Sequence, residues 1–570
     1  MPVMLLWLGV WVSLGLLPGA ASSSSSSSSS FSSSSSWEPL EPVSAEKSLA
    51  WGPGLEAELT LPARYFYLQA VSSDGRNCTR SPPGQFSVSI KPLSARESIQ
   101  IHVPKLLDRN DGSFLMRYRL HTSVKEGLKV EILYGDAHVA QSPYILKGPI
   151  YHEYCDCPEK DAEVWKKSLS CPSEEAQITE DFAAFPSIDL QQMFKEVPPR
   201  FGQRMGAIVH YAILNNRIYR RTLGKYTDFK MFSDEMLLSL SRKVRLPDVE
   251  FYVNVADWPI EHRKANDTPG PVPILSWCGS VDSADIVLPT YDVTHSTLET
   301  LRGVTNDLLS VQGNTGPVWE NKTEQGFFRG RDSREERLLL VKLSKENPEL
   351  LDAGITGYFF FREKEKELGK VPLMGFFDFF KYKYQVSVDG TVAAYRFPYL
   401  LLGDSVVLKQ SSPYYEYFYK ELSPWSHYIP IKRNLEDLLE KIKWVKENDE
   451  VVRKIAKEGQ MTARELLQPH RFYCYYFKVF QIKIPVMPHG PCSPVPSTIV
   501  ADEEENMGFP PVQPESEPLH LEDVCPQEVS QTSLGQNSPP FSRKDNYNRD
   551  RGAREANRRS LRIAAKQLAD

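Results

Sequence analysis

Cysteine is scarce. Eight in 570 residues are too few for a disulfide scaffold, yet enough for two or three bridges in an oxidising compartment. Charge of one sign is lacking too. A formal net charge of −6 leaves no excess that would mark a dedicated nucleic-acid binder. Zinc spacing, a phosphate-binding GxxxxGK[ST] loop, a GxSxG elbow and a GxGxxG fingerprint are all absent. Cys155-Asp156-Cys157 with Cys171 is poor zinc spacing and has no positioned histidine, so disulfides are expected there and no metal or cofactor is called for. Beyond the first residues no apolar run is long enough to span a bilayer; the aromatic runs at 359–361 and 376–377 are interrupted by charges.

What is present suits a secreted, multi-domain protein. Hydrophobic residues at 41% and aromatics at 11% can fill a substantial core, and the length calls for two or more folded units. Residues 1–21 (MPVMLLWLGVWVSLGLLPGAA) form a short apolar run ending in small residues, as a signal peptide does and a membrane anchor does not. Three sequons, at Asn77, Asn266 and Asn321, fit a lumen. Residues 22–45 form a serine-rich linker with nothing to bury.

From 46 to 150 the pattern is all-β. Tyr65-Phe66-Tyr67-Leu68, Phe86-Ser87-Val88-Ser89-Ile90 and Phe114-Leu115-Met116-Arg117-Tyr118 are short apolar runs separated by turn clusters such as Asp74-Gly75 and Asn110-Asp111-Gly112. With Gly52-Pro53-Gly54-Leu55 and Ser142-Pro143-Tyr144, the segment resembles a filamin-type immunoglobulin-like repeat, which implies a β-sandwich that binds or positions rather than catalyses.

Between 151 and 480 strands and helices alternate, as in α/β domains. Residues 249–255 form a strand running into Asp257-Trp258-Pro259. A carboxylate at a strand's C-terminal end lies where such folds place ligands and suits a general base; on the residues alone, however, Asp-Trp-Pro reads more readily as an ordinary turn. Residues 326–330 form a second strand, followed by Ser333-x-x-Glu336, which reads as a capping box opening a helix. Amides at that helix start, beside arginines, suit a diphosphate; a solvated charge cluster, Arg334 included, explains them as well. Asp389-Gly390-Thr391-Val392-Ala393-Ala394 offers small residues that let backbone approach a ligand. Asn434 is expected to cap a helix carrying Leu435, Leu438, Leu439, Ile442 and Val445 on one face, with Gly459 as a stop. Residues 481–570 lose the core pattern: an acidic run at 502–505 precedes a basic end with nine Lys/Arg against four Asp/Glu from 543 onward. They read as a disordered tail.

Asn254-Val255-Ala256-Asp257-Trp258-Pro259, Phe328-Arg329-Gly330, Arg337, Lys381-Tyr382-Lys383-Tyr384, Ala394-Tyr395-Arg396-Phe397 and Trp425-Ser426-His427-Tyr428-Ile429-Pro430 occur in this order. Together they resemble glycosyltransferase family 90, and the filamin-like segment in front points to its KDEL-motif-containing protein O-glucosyltransferase subgroup. The resemblance implies a GT-B arrangement of two Rossmann-like lobes. It also implies inverting, metal-independent transfer of glucose from UDP-glucose to serine in EGF-like repeats of Notch- and fibrillin-type proteins. Asp257 matches the family's catalytic base. Arg329, Gly330, Arg337, Thr391, Val392, Ala393, Ala394, Tyr395 and Arg396 match its UDP-glucose-binding stretches. Cys474 matches a cysteine bridged to one of Cys155, Cys157 and Cys171. Two departures stand out. Arg331 replaces a serine after Arg-Gly, and the chain ends in Gln567-Leu568-Ala569-Asp570 rather than a KDEL-like retrieval signal, so residence in the endoplasmic reticulum lumen with partial secretion is expected. The alternatives are an inactive luminal binding protein and a transferase preferring UDP-xylose.

Overall fold

In the computed structural model of the chain, residues 42–203, 206–302, 306–482 and 527–528 are described. The expected signal peptide, most of the serine-rich linker, and the tail beyond 482 apart from 527–528 lie outside the described residues.

Nine strands build the N-terminal sandwich: β1 (Leu49–Trp51), β2 (Arg64–Gln69), β3 (Phe86–Pro92), β4 (Ile101–His102), β5 (Leu107–Asp108), β6 (Ser113–Leu120), β7 (Gly127–Tyr134), β8 (Ala137–His138) and β9 (Tyr144–Lys147). One sheet runs β1-β2-β6 with β4 and β5 beside β6; the other is β3-β7 with β8 and β9 on β7. Side chains alternate across a strand with period two. Phe66, Leu68, Phe114, Met116 and Tyr118 fill the sandwich, while Tyr65, Tyr67 and Leu115 point the other way, into the core of the following domain. β2 and β6 therefore leave no face to solvent, although antiparallel sheets usually keep one.

The first α/β lobe carries β10 (Ile208–Leu214), β11 (Arg217–Leu223), β12 (Val249–Asn254), β13 (Ile274–Ser276), β14 (Gly279–Ser280) and β15 (Ile286–Val287). Its sheet runs β15-β13-β12-β10-β11, with Gln527–Glu528 added beyond β11. The strands β12, β13 and β15 are parallel, and β10 is antiparallel to its neighbours. All six residues of β12 are buried, as expected of a strand covered on both faces.

The second lobe has β16 (Thr323–Arg331), β17 (Leu351–Gly357), β18 (Tyr382–Ser387), β19 (Val406–Gln410), β20 (Tyr414–Tyr415) and β21 (Ile429–Ile431). The sheet order β17-β16-β18-β19-β21 is parallel throughout. Chain order reverses between β16 and β18, and ligands of doubly wound sheets bind outside the carboxyl ends at such a switch point. The lobes are joined by β14 pairing with β20 and by two consecutive helices. Asp449–Leu466 begins in the core of the second lobe with Val452, Ile455 and Ala456, and Pro469–Gln481 buries Phe472 to Phe480 in the first.

Three local expectations are corrected. The helix expected from Asn434 starts at Leu438 after Asp437. Leu435 has φ +61°, outside the right-handed helix, because its side chain is drawn into the core at 1% exposure. Gly459 does not stop a helix: Asp449–Leu466 runs through it, and the missing side chain admits the His427 carbonyl, 2.2 Å from where a Cβ would stand. No capping box forms at Ser333, since the helix Glu335–Glu346 follows Arg334 without a side-chain cap; Ser333 Oγ instead accepts from Arg337.

Candidate active site

β12 runs into the turn that carries Asp257, and buried polar groups hold that turn. Asn254 Oδ1 accepts from the Ala256 amide at 3.1 Å, and its Nδ2 donates to the Trp258 carbonyl at 2.7 Å and to Ser276 Oγ at 3.1 Å. Ser276 donates in turn to Asp285, whose carboxylate also accepts the amides of Ile260 and Glu261 at 2.8–3.0 Å. Glu261 is fully buried and takes a two-pronged bond from Arg200 at 2.7 and 2.8 Å. Burial works to raise its pKa, but Arg200 and the Val272 and Arg263 amides outweigh that and leave it below the ordinary range. Asp257 itself is half-buried, and burial pushes its carboxyl up to about 6. Tyr291 and Tyr395 feel its charge.

The second lobe faces it with the ends of β16 and β18. Arg337 lies at the switch point, 4% exposed. Its Nε donates to the Asp389 carbonyl at 2.7 Å, Nη2 to Val388 at 3.0 Å and Nη1 to Arg331 at 3.1 Å. Burial, aided by nearby Arg396, lowers it to about 9, so it keeps its charge at neutral pH while knitting two loops together. Gly330 sits where a Cβ would stand 2.7 Å from the Phe328 ring and 3.1 Å from the Arg396 guanidinium. Arg396 donates to the Arg329 carbonyl, lies over Phe328 and is lowered to about 10 by burial. Arg329 turns away from this group: it pairs with Asp352 at 2.8 Å and covers the Phe327 ring. Val392, Ala393 and Ala394 are buried, with Thr391, Tyr395 and Arg396 half-buried at the loop surface.

An open cavity of about 1140 Å³ lies beside this loop on the second lobe, bounded by Ser333, Arg334, Leu338, Phe361, Thr391 and Arg433. It adjoins the uncapped start of the helix Glu335–Glu346, where amides favour an anion. Its aromatic wall is fixed by Asp332, whose fully buried carboxylate accepts the amides of Phe359 and Phe361 at 2.6–2.8 Å. Arg334, expected on a solvated face, instead reaches the Thr391 carbonyl and Tyr414 hydroxyl at 3.5 Å. Local spacing carried no signal for Tyr291, Asp332 or Phe361, because their roles depend on partners distant in sequence.

Other motif residues serve the fold. Lys383 is buried between Glu324 and Asp449, and Tyr384 is fully buried. Cys155 is bonded to Cys157 and Cys171 to Cys474. The second bond ties the start of the first lobe to the last helix across 303 residues. Asn77, Asn266 and Asn321 are all exposed. Among the described residues no cluster of three or more His, Cys, Asp or Glu side chains is arranged to hold a metal ion, and no helix is long and apolar enough to cross a membrane.

Asp257 on the first α/β lobe thus stands against the 391–396 loop of the second, whose switch point holds the buried Arg337. Residues 166–495 match Glycosyl transferase family 90, and residues 42–145 match the Filamin/ABP280 repeat. The chain belongs to glycosyl transferase family 90 and is a glycosyltransferase. It is 74% identical over 441 residues to Protein O-glucosyltransferase 3 of Homo sapiens, covering 77% of this chain and 87% of that protein. Protein O-glucosyltransferase 2 of Danio rerio is 53% identical over 439 residues, with 77% and 87% covered. Protein O-glucosyltransferase 1 of Homo sapiens is 30% identical over 321 residues, with 54% and 79% covered.

Proposed function

We propose that this chain is a luminal protein O-glucosyltransferase that transfers glucose from UDP-glucose to a serine hydroxyl of EGF-like repeats in Notch- and fibrillin-type proteins. The carrying observation is Asp257, a carboxyl raised toward neutrality by burial, standing at the end of β12 against the 391–396 loop of the other lobe. The serine oxygen attacks the anomeric carbon from the face opposite the diphosphate, so configuration inverts. The new bond is serine oxygen to carbon, and the bond that breaks joins that carbon to the diphosphate oxygen. Asp257 takes the hydroxyl proton, and UDP leaves with the bonding electrons. Arg334 and Arg396, with Arg337 behind them, offset the charge that grows on the leaving group. The relatives, all protein O-glucosyltransferases by name, support glucose as the sugar and protein as the acceptor.

The two disulfides and the three exposed sequon asparagines support a lumen, and we place the protein in the endoplasmic reticulum with a secreted fraction. Incubating a folded EGF-like repeat with the purified chain and either UDP-glucose or UDP-xylose, followed by intact-mass measurement, tests the reading. A hexose on serine, formed only with UDP-glucose, is the expected product. A pentose formed faster from UDP-xylose would move the donor assignment. Tight UDP binding with no sugar transferred from either donor would favour an inactive binding protein.

A further inference from the structure

Two tyrosines of the second lobe reach across to the first. Tyr395 donates its hydroxyl to the Asp257 carbonyl at 3.3 Å, and its ring meets Tyr291 edge-on at 5.6 Å and 89°. One helical turn later Tyr399, on the helix Phe397–Leu402, bonds the Asp292 carbonyl at 3.1 Å and Ser296 Oγ at 3.0 Å. Both bonds land on the rim that carries Asp257 and Tyr291. Both come from the segment that closes the 391–396 loop. Burial holds both phenols far above their ordinary pKa, so each remains a donor throughout the working pH range.

We propose that Tyr395 and Tyr399 are positioning residues, a two-point latch that registers the sugar-donor loop of one lobe against the general base of the other. The inference rests on Asp257 being that base. It adds a reason for the phenols beyond filling space. In a two-lobed transferase the reacting carbon is held by one lobe and the attacking hydroxyl by the other, and a displacement of about 1 Å costs on the order of 10²-fold in rate. Tyr395 packs with Val392 and Ala393 of its own loop and with Cys278 of the first lobe, so a shift in the 391–396 loop moves the hydroxyl that holds the Asp257 carbonyl. The pairing of β14 with β20 and the two crossing helices join the lobes elsewhere, but Tyr395 ties the loop itself to the backbone of Asp257, and Tyr399 ties the helix that follows the loop to Asp292 and Ser296.

The test uses the full chain with Tyr395→Phe, Tyr399→Phe and the double variant, which delete hydroxyls and keep the rings. Transfer kinetics, UDP affinity by calorimetry and hydrogen exchange over residues 254–262 and 388–400 are measured together. Each single change is expected to lower kcat about three- to tenfold, the effect of one lost hydrogen bond, and the double change more than either. UDP affinity should stay within about twofold, and exchange should rise in both segments. Unchanged kcat with raised exchange would overturn the positioning role. A rise in UDP Kd that accounts for the lost activity would overturn it also, making Tyr395 a donor contact, and so would exchange that stays at the wild-type level. Should the double variant fail to fold, the singles carry the same comparison. Failure of the base assignment looks different: Asp257→Asn would then transfer sugar normally, whatever the latch variants do to exchange.

Discussion

Asp257 owes its chemistry to the place where β12 ends. Aromatic neighbours and the opposite lobe crowd the carboxyl, and burial raises its pKa to about 6. The proposed base accepts a proton only as carboxylate, so on that proposal kcat/KM should fall about tenfold per pH unit below 6 and level off above it. The stability contribution runs the other way. A carboxyl whose folded pKa is raised favours the fold below its ordinary pKa and loses that contribution as pH rises through about 6. Activity and this group's share of stability therefore diverge with pH, which a pH–rate profile beside a pH–melting profile would detect. The two arginines should also separate. Arg337→Ala strips donors from the Arg331, Val388 and Asp389 carbonyls, so its melting temperature and donor use should fall together. Arg334→Ala, at the cavity wall, should raise KM for UDP-glucose several-fold with the melting temperature unchanged. If calorimetry and kinetics show the two variants alike, Arg334 is not a donor contact. The strand that runs into Asp257 was legible in its pattern, while the role proposed for the residue rests on the resemblance to the family. The network that holds it was not legible, since Asp285 and Ser276 meet the 254–261 turn only after the chain has folded back.

Elements were legible wherever composition and burial agreed. Phe251-Tyr252-Val253 in β12 and Phe327-Phe328 in β16 marked buried strands before any partner was known. Boundaries failed where a tertiary contact overrode a local preference. Asn434 is a good cap by residue type, yet Leu435 leaves the helix to enter the core. Gly459 is a good stop, yet the helix continues because only a residue without a side chain lets His427 approach. Gly459→Ala should therefore destabilise the chain by about 1–3 kcal/mol, as overpacking does, even though alanine is the better helix former. A melting temperature equal to or above that of the wild type would show that the helix can step aside. The disulfide between Cys171 and Cys474 spans the lobe from its first helices to its last, and its removal by Cys474→Ser should lower the melting temperature further than loss of the local Cys155–Cys157 bond.

At the scale of the whole molecule the filamin-type unit is fused to the enzyme rather than strung in front of it. Arg117 donates to Ser310 at 2.6 Å and Arg119 to the Thr300 carbonyl at 3.2 Å on the first lobe. Asp111, at a tip of the sandwich, takes Lys457 at 2.8 Å and Arg464 at 2.6 Å from the helix that crosses between lobes. Tyr65 adds a bond to His470 at 2.7 Å. The turn signals in the sequence correctly marked a sandwich. The outer face of β2 and β6 mixes Tyr65, Tyr67 and Leu115 with Arg117 and Arg119, a make-up that means little until the surface covering it is known. Removal of residues 42–150 should leave the remainder insoluble, because Leu59, Tyr65, Tyr67 and Leu115 complete a core shared with the first lobe. A soluble, active remainder would make the unit an accessory. Asp111→Ala, which strands the buried Arg464, should lower the melting temperature without changing UDP affinity.

The central claim is that this glycosyltransferase places a sugar on a protein hydroxyl using Asp257 as base. Single-turnover transfer from UDP-glucose to a folded EGF-like repeat, compared between the wild-type chain and Asp257→Asn with UDP affinity measured in parallel, tests it most directly. The account predicts a rate loss of about 10²–10⁴-fold with UDP affinity and melting temperature preserved. Transfer by a folded Asp257→Asn protein within about tenfold of wild type would contradict it.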